Sequence, residues 1–389
     1  MAAVRAPKQR RAGALALFWG AALALIHTHL TYPLSLALLR RLRGKPPQAP
    51  TARAAEVFEP MVSLVIAAHD EGQVIERKLA NALALGYPRD RLELIVASDG
   101  SNDGTVKRAR AAGADQVLDL PRGGKIATQN AAVEHAGGEL LAFSDANAYW
   151  EPGALRELLA PFRDPKVGYV CGQVAFLDAE GDNQEGAYWR YEMWVRGMES
   201  DLAGVTAGNG GIYAVRRGAY RPLDPSRSHD LSFPFQLAKA GYRSAYAPDA
   251  RAEEKLVPDS DGEFQRKRRM MRGLWDIVVG DGMLDPRGYT PLYAYEIASH
   301  RGLRYASPKL HALLLVANLR LLGRSRLYVL TLAGQLALIA AALSPEPLPG
   351  RPLRLARHYA LSTAAIALGT LDRFRGGPPA GWEKSEGTR

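Results

Sequence analysis

Apolar and polar positions along this chain fall into alternating blocks. Short apolar runs at 62–68, 92–99, 116–118 and 140–143 read as strands, the first two and the last of them buried. Between them, stretches with helical periodicity at 73–85, 106–112 and 126–135 read as helices, the first ending at Gly86-Tyr87-Pro88. Such a β-α-β-α series predicts an α/β unit with a mostly parallel sheet and helices on both faces. Two of the strands run straight into an acidic turn, Ser98-Asp99-Gly100-Ser101 and Ser144-Asp145-Ala146-Asn147, with the aspartates 46 residues apart. Ligands collect at the carboxyl ends of such strands, so residues 60–150 read as a nucleotide-binding half with a metal. The second half is less regular, with strands expected at 167–175 and 212–215 and helices at 183–202, 232–239 and 263–279.

The chain's ends follow a different pattern. Residues 13–39 contain no Asp, Glu, Lys or Arg, enough at about 1.5 Å per residue to cross a bilayer. A cleaved secretory signal is the rival reading, but the run exceeds the ~7–15 residues of such a core. Further apolar stretches at 310–322, 327–343 and 359–371 give two or three C-terminal membrane helices. Basic residues flank the first segment on both sides and leave its orientation open. A net charge of +10 admits nucleic acid, anionic lipid or phosphate, and beside membrane segments the last two are preferred. The single cysteine, Cys171, excludes an intramolecular disulfide and a cysteine zinc cluster, and reads as a core residue.

Candidate chemistry concentrates at the strand ends. Asp99 is placed to accept a hydrogen bond from a base or ribose, whereas Asp103 reads as a helix cap. Asp145 and Asn147 offer oxygen ligands to Mg²⁺ or Mn²⁺, weaker than two carboxylates would be. Arg122-Gly123-Gly124-Lys125, just before a helix, suits phosphate, with a solvated basic turn as the alternative. Asp230 serves either as a general base or, with Ser228, as a helix cap. Residues 265–273, Gln-Arg-Lys-Arg-Arg-Met-Met-Arg-Gly, surround their helix with cations, inward ones suiting a diphosphate and outward ones lipid headgroups.

Taken in order, these motifs resemble the membrane-bound family 2 glycosyltransferases of the GT-A fold, a group that includes bacterial poly-N-acetylglucosamine, cellulose and hyaluronan synthases and exopolysaccharide relatives. The resemblance implies that Asp99 contacts the base, that Glu71 and Lys125 lie near the nucleotide and its diphosphate, and that Asp145-Ala146-Asn147 is the metal-binding Asp-x-Asp variant. It further implies that Tyr191, Glu192, Gly208, Asn209, Gly210 and Gln265 face the acceptor and that Asp230 is the catalytic base, with His229 in place of a glutamate. The family's Gln-x-x-Arg-Trp motif fits in two registers, making either Arg268 or Arg269 its arginine, and neither register contains the tryptophan. Long-chain polymerisation is therefore less expected than in the processive synthases.

The resulting expectation is an inverting transferase moving a sugar from a nucleotide-diphosphate sugar, UDP-linked by analogy, to a glycan or lipid-linked acceptor at the plasma membrane. Its parts would be a basic tail (1–12), a transmembrane helix (13–39), a linker (40–59), a cytoplasmic GT-A domain (60–285), an interfacial segment (286–308), C-terminal membrane helices (309–371) and a polar tail (372–389). The rivals are a non-processive lipid or polyprenyl-linked sugar transferase and a catalytically silent membrane protein that binds a nucleotide or glycan. Nucleic acid is not an expected partner.

Overall fold

A computed structural model describes residues 5–44, 58–177, 186–255, 260–344 and 350–376. Most of the predicted linker, the start of the expected 183–202 helix and most of the polar tail lie outside the described residues.

One eight-stranded sheet runs in the order β3-β2-β1-β4-β7-β6-β8-β5. Its strands are β1 (Val62–Ala68), β2 (Leu92–Asp99), β3 (Gln116–Leu120), β4 (Leu140–Asp145), β5 (Tyr149–Trp150), β6 (Val167–Leu177), β7 (Tyr213–Arg216) and β8 (Arg243–Lys255). The first half is parallel throughout, with Val62 beside both Leu92 and Leu140. All seven residues of β1 are buried, because alternate side chains enter the cores on opposite faces. Leu64 and Ile66 join Leu94, Val96 and Leu155 on one face, while Val65 meets Ile95, Phe143 and Tyr213 on the other.

The second half departs from the expected parallel sheet. Strand β7 is antiparallel to both β4 and β6, β5 is antiparallel to β8, and β6 pairs with β8 in parallel. Strand β8 has no counterpart in the sequence reading. Its inward positions are small alanines, Ala245, Ala247, Ala250 and Ala252, set among charged residues, so it lacks the β-branched signal of β1. The expected 263–279 helix is also interrupted: it ends at Met270, and a separate π-helical turn covers Asp276–Gly280.

Two helical stretches among the described residues are long and apolar enough to cross a bilayer, Arg11–Arg43 and Arg326–Leu343. The other two predicted spans fall in helices Ser307–Leu321 and Arg351–Phe374, which do not meet that measure. The first has only 15 residues, and the second carries arginines through its opening turns. Ser307–Leu321 packs Leu314, Ala317 and Leu321 against Ala14, Phe18 and Ala21 of the N-terminal helix. Arg351–Phe374 docks on the basic Ser260–Met270 segment and the turn after it: Asp372 accepts from Arg268 at 2.7 Å through both oxygens, and Trp275 donates to Thr370 at 2.7 Å.

Between β6 and β8 the register shifts at Cys171/Gln173, and the residue inside that irregularity is Gly172. A Cβ there would collide with the Ala250 carbonyl oxygen, so the two backbones approach this closely only through glycine. Its own carbonyl accepts from the Asn209 side-chain amide at 2.6 Å, tying the 207–211 loop to the sheet. Gly172→Ala is expected to cost about 1–3 kcal/mol by overpacking. A thermal melt in detergent would detect this as a lowered midpoint, and an unchanged midpoint would refute the close-approach argument.

Candidate active site

The site is built on the carboxyl ends of β1, β2 and β4. Strand β2 delivers Asp99, whose side chain is wholly buried. Its carboxylate accepts from the backbone amides of Gly123 at 2.6 Å and Gly124 at 3.0 Å, and from Arg122 Nη1 at 2.8 Å. A buried carboxylate needs such partners, and here it obtains them by gripping the loop that follows β3. Gly124 has φ 89°, a left-handed conformation that glycine tolerates, and it leads directly into helix Lys125–His135. The end of β1 joins the same assembly. Asp70, at φ 48°, accepts from the Asn102 amide at 2.8 Å, His69 Nδ1 lies 2.7 Å from the Asp99 carbonyl oxygen, and the Glu71 amide donates to Thr105 Oγ1 at 2.8 Å. Asp103 is not the N-cap expected of it, a position held by Gly104; it accepts from the Thr105 amide at 3.1 Å in a local turn and from the Gly72 amide at 2.9 Å.

Lys125, the first residue of its helix, pairs with Asp145 at the end of β4. A Cβ on Gly210 would lie 3.3 Å from Lys125 Nζ and 3.8 Å from Asp145 Oδ2, so the 207–211 loop borders the same point. Asn147 is directed through its amide to Glu254 Oε1 at 3.3 Å. No group of three or more His, Cys, Asp or Glu residues converges as a metal centre among the described residues. Among the described residues, Asp145 offers a carboxylate and Asn147 an amide oxygen two residues on, with the Glu254 carboxylate beside Asn147. That donor set fits a hard divalent cation that takes its remaining oxygens from a diphosphate and water.

Asp230 lies in the first turn of helix His229–Lys239, after Ser228 at the N-cap position. The Ser228 side chain makes no capping bond, and the Asp230 carboxylate has no hydrogen-bond partner among the described residues. The Asp230 backbone carbonyl accepts from the Gly208 amide at 2.8 Å. A Cβ on Gly208 would strike the Tyr169 hydroxyl, and the Gly208 carbonyl accepts from Arg196 at 3.1 Å. Asn209 also receives the Ile212 amide at 3.0 Å, so its side chain braces the loop. His229 points the other way, into an aromatic core, 2.7 Å from the Tyr213 hydroxyl and with its ring tilted against Phe233 at 4.4 Å. Burial, with Lys125 adding to it, pushes the His229 pKa well below the usual imidazole value, so it is a neutral core residue.

A cavity of about 970 Å³ joins these pieces; loop 122–125, Gly208, Asp230, Arg269 and Glu192 are all on its wall. Asp99 sits behind that loop, while Asp145 and Gly210 lie beside Lys125. Arg268 is turned away to Asp372, so Arg269 is the arginine of the two registers that reaches the cavity. Tyr191 donates to the His29 carbonyl at 2.9 Å, and Gln265 is exposed; neither lines the cavity. On the helix read as acceptor-side, sequence reasoning singled out Tyr191 and Glu192 rather than Trp189 and Arg196, and it missed Arg301 and Arg304 on the wall and the contribution of Tyr359 and Thr363 from the C-terminal helix. The Arg301-x-x-Arg304 spacing was a readable signal, since residues three apart share a helix face. Arg304 donates to Glu192 at 2.5 Å. Burial alone would raise the Glu192 pKa, but Arg304, His300 and Arg301 outweigh it and hold the group well below the usual carboxylate range.

Comparison with known proteins agrees with this architecture. Residues 63–223 match the family described as glycosyl transferase family 2. The beta-monoglucosyldiacylglycerol synthase of Trichormus variabilis is 25% identical over 247 residues, covering 58% of this chain and 52% of that protein. The poly-beta-1,6-N-acetyl-D-glucosamine synthase of Staphylococcus aureus is 26% identical over 235 residues, covering 57% and 56%. This chain thus spans about half the length of the curated relatives it matches. A mannosyltransferase from Pyrobaculum calidifontis, solved with GDP-Man and Mn²⁺, superposes with a TM-score of 0.72 over 93% of this chain and 98% of that one, at 23% identity. That likeness identifies the fold as GT-A-like, a mixed α/β sheet with flanking helices. Residues 63–223 thus carry a glycosyltransferase domain of family 2.

Proposed function

We propose that the protein transfers a glycosyl group, with inversion, from a nucleotide-diphosphate sugar to a glycan or lipid-linked acceptor at the membrane. The observation that carries this reading is one cavity bounded both by the cationic loop 122–125 and by the unpartnered carboxylate of Asp230. In the reaction, the acceptor oxygen attacks the anomeric carbon, the bond from that carbon to the phosphate oxygen breaks, and nucleoside diphosphate leaves. Asp230 takes the proton of the attacking hydroxyl. Lys125, Arg122 and Arg269 attract the negative charge that develops on the leaving diphosphate. A divalent cation at Asp145, when bound, would supply further charge neutralisation there. Asp99 acts through the loop it holds rather than through the nucleotide alone.

Helices Arg11–Arg43 and Arg326–Leu343 would keep the domain at the bilayer, and a cytosolic donor puts the site on the cytoplasmic side. No tryptophan follows Arg269, and Gln265 lies off the cavity, which favours single transfer over polymerisation.

Asp230→Asn is expected to lower acceptor-dependent release of nucleoside diphosphate by about 10²–10⁴-fold. Calorimetric binding of the nucleotide should stay within about twofold of the parent; retained turnover would remove Asp230 as the base. The two arginines separate in the same assay. Arg269→Ala should lose about 100-fold in kcat/KM, as expected for a lost charge-stabilising donor. Arg268→Ala, which breaks only a solvent-screened pair with Asp372, should stay within about fivefold. The reverse order would restore the other register.

A further inference from the structure

Part of the cavity wall carries hydrogen-bond donors with nothing to donate to. Arg304 uses Nη1 on Glu192 at 2.5 Å and on the Tyr188 hydroxyl at 3.3 Å, but its Nε and Nη2 are buried without a partner. Trp189 Nε1 is buried and unpartnered in the same wall. Arg301, one helical turn before Arg304, donates through Nε to Thr206 Oγ1 at 2.8 Å and also borders the cavity. The nearby carboxylates are already engaged. Glu192 holds Arg304, and Glu199 accepts from Tyr32 at 2.6 Å, from Thr206 at 3.0 Å and lies 2.6 Å from His300 Nδ1. Buried donors are rarely left unsatisfied in a folded protein, least of all charged ones.

These donors are separate from the 122–125 loop that serves the donor diphosphate. A guanidinium fork with an indole N–H beside it matches an anion with several acceptor oxygens, which a phosphate provides. The surroundings are membrane-proximal and partly apolar: His29 of the apolar N-terminal stretch, and Tyr359 and Ile366 of the C-terminal helix, close the same cavity. We infer that Arg301, Arg304 and Trp189 form an acceptor subsite for a phosphate mono- or diester, and that the acceptor is a phosphate-bearing amphiphile drawn from the membrane. The inference rests on the glycosyl-transfer reading and narrows its acceptor.

The test uses the full chain in detergent, with saturating nucleoside diphosphate filling the Lys125 end. Calorimetric titration with inorganic phosphate should reveal a further binding event, weakened about fivefold or more by Arg304→Gln and by Trp189→Phe. The second variant removes one N–H with little change of shape, and so keeps the test open if the first fails to fold. Transfer from a nucleotide-sugar panel should be seen with polyprenyl phosphate or phosphatidylglycerol and be at least tenfold poorer with diacylglycerol. Trp189→Phe should raise KM for the phosphate-bearing lipid while leaving kcat within about twofold. Transfer to a soluble sugar phosphate that inorganic phosphate competes away, with neither lipid accepted, would keep the anion site but make its source a soluble phosphorylated acceptor, overturning the membrane part. Absence of the further phosphate event, or equal turnover with diacylglycerol, would overturn the subsite and leave glycosyl transfer standing. Intact phosphate binding with no nucleoside diphosphate released from any donor would instead sink the transfer reading alone.

Discussion

The site depends on one buried carboxylate. Asp99 lies at the end of a strand sealed on both faces, where an unpaired charge would be prohibitive, and it is stabilised by the Gly123 and Gly124 amides and the Arg122 guanidinium. Those same bonds fix where loop 122–124 runs and hence where Lys125 emerges. The Lys125–Asp145 pair then links the end of β2, through its loop, to the end of β4. A requirement of stability at Asp99 thereby becomes a requirement of geometry at the cavity.

Much of this was legible in the sequence, for identifiable reasons. Strands β1, β2 and β4 are buried on both faces, so they appear as uninterrupted apolar runs, and the aspartates at the ends of β2 and β4 follow from where those runs stop. Glycine marked the loops correctly at Gly124 and Gly208. Strand β8 was not legible, because its buried positions carry small residues, mostly alanine, set among charged ones. The partners of Asp99 were equally hidden: a carboxylate at a strand end looks the same whether it faces a ligand or a loop.

The departures from the family pattern have local causes. His229 stands where the family resemblance leads one to expect a glutamate, and its ring is absorbed by Tyr213, Tyr220 and Phe233, with Asp230 on the cavity wall. In the basic motif, an element about 100 residues downstream divides the arginines, since Asp372 pairs with Arg268 and Arg272 while Arg269 lines the cavity. No local reading of residues 265–273 contains that information.

The hydroxyl of Tyr32, within the apolar N-terminal stretch, meets Glu199 at 2.6 Å, and Glu199 in turn receives Thr206, two residues before Gly208. The Gly208 amide holds the Asp230 carbonyl. The N-terminal helix is thus connected to the loop beside Asp230 through a chain of buried polar contacts. A chain cut at the linker to obtain a soluble domain would strip Glu199 of a partner and open the cavity where His29 closes it. Loss of activity in such a fragment would then report a damaged site, and solubility would have been gained at the expense of the enzyme.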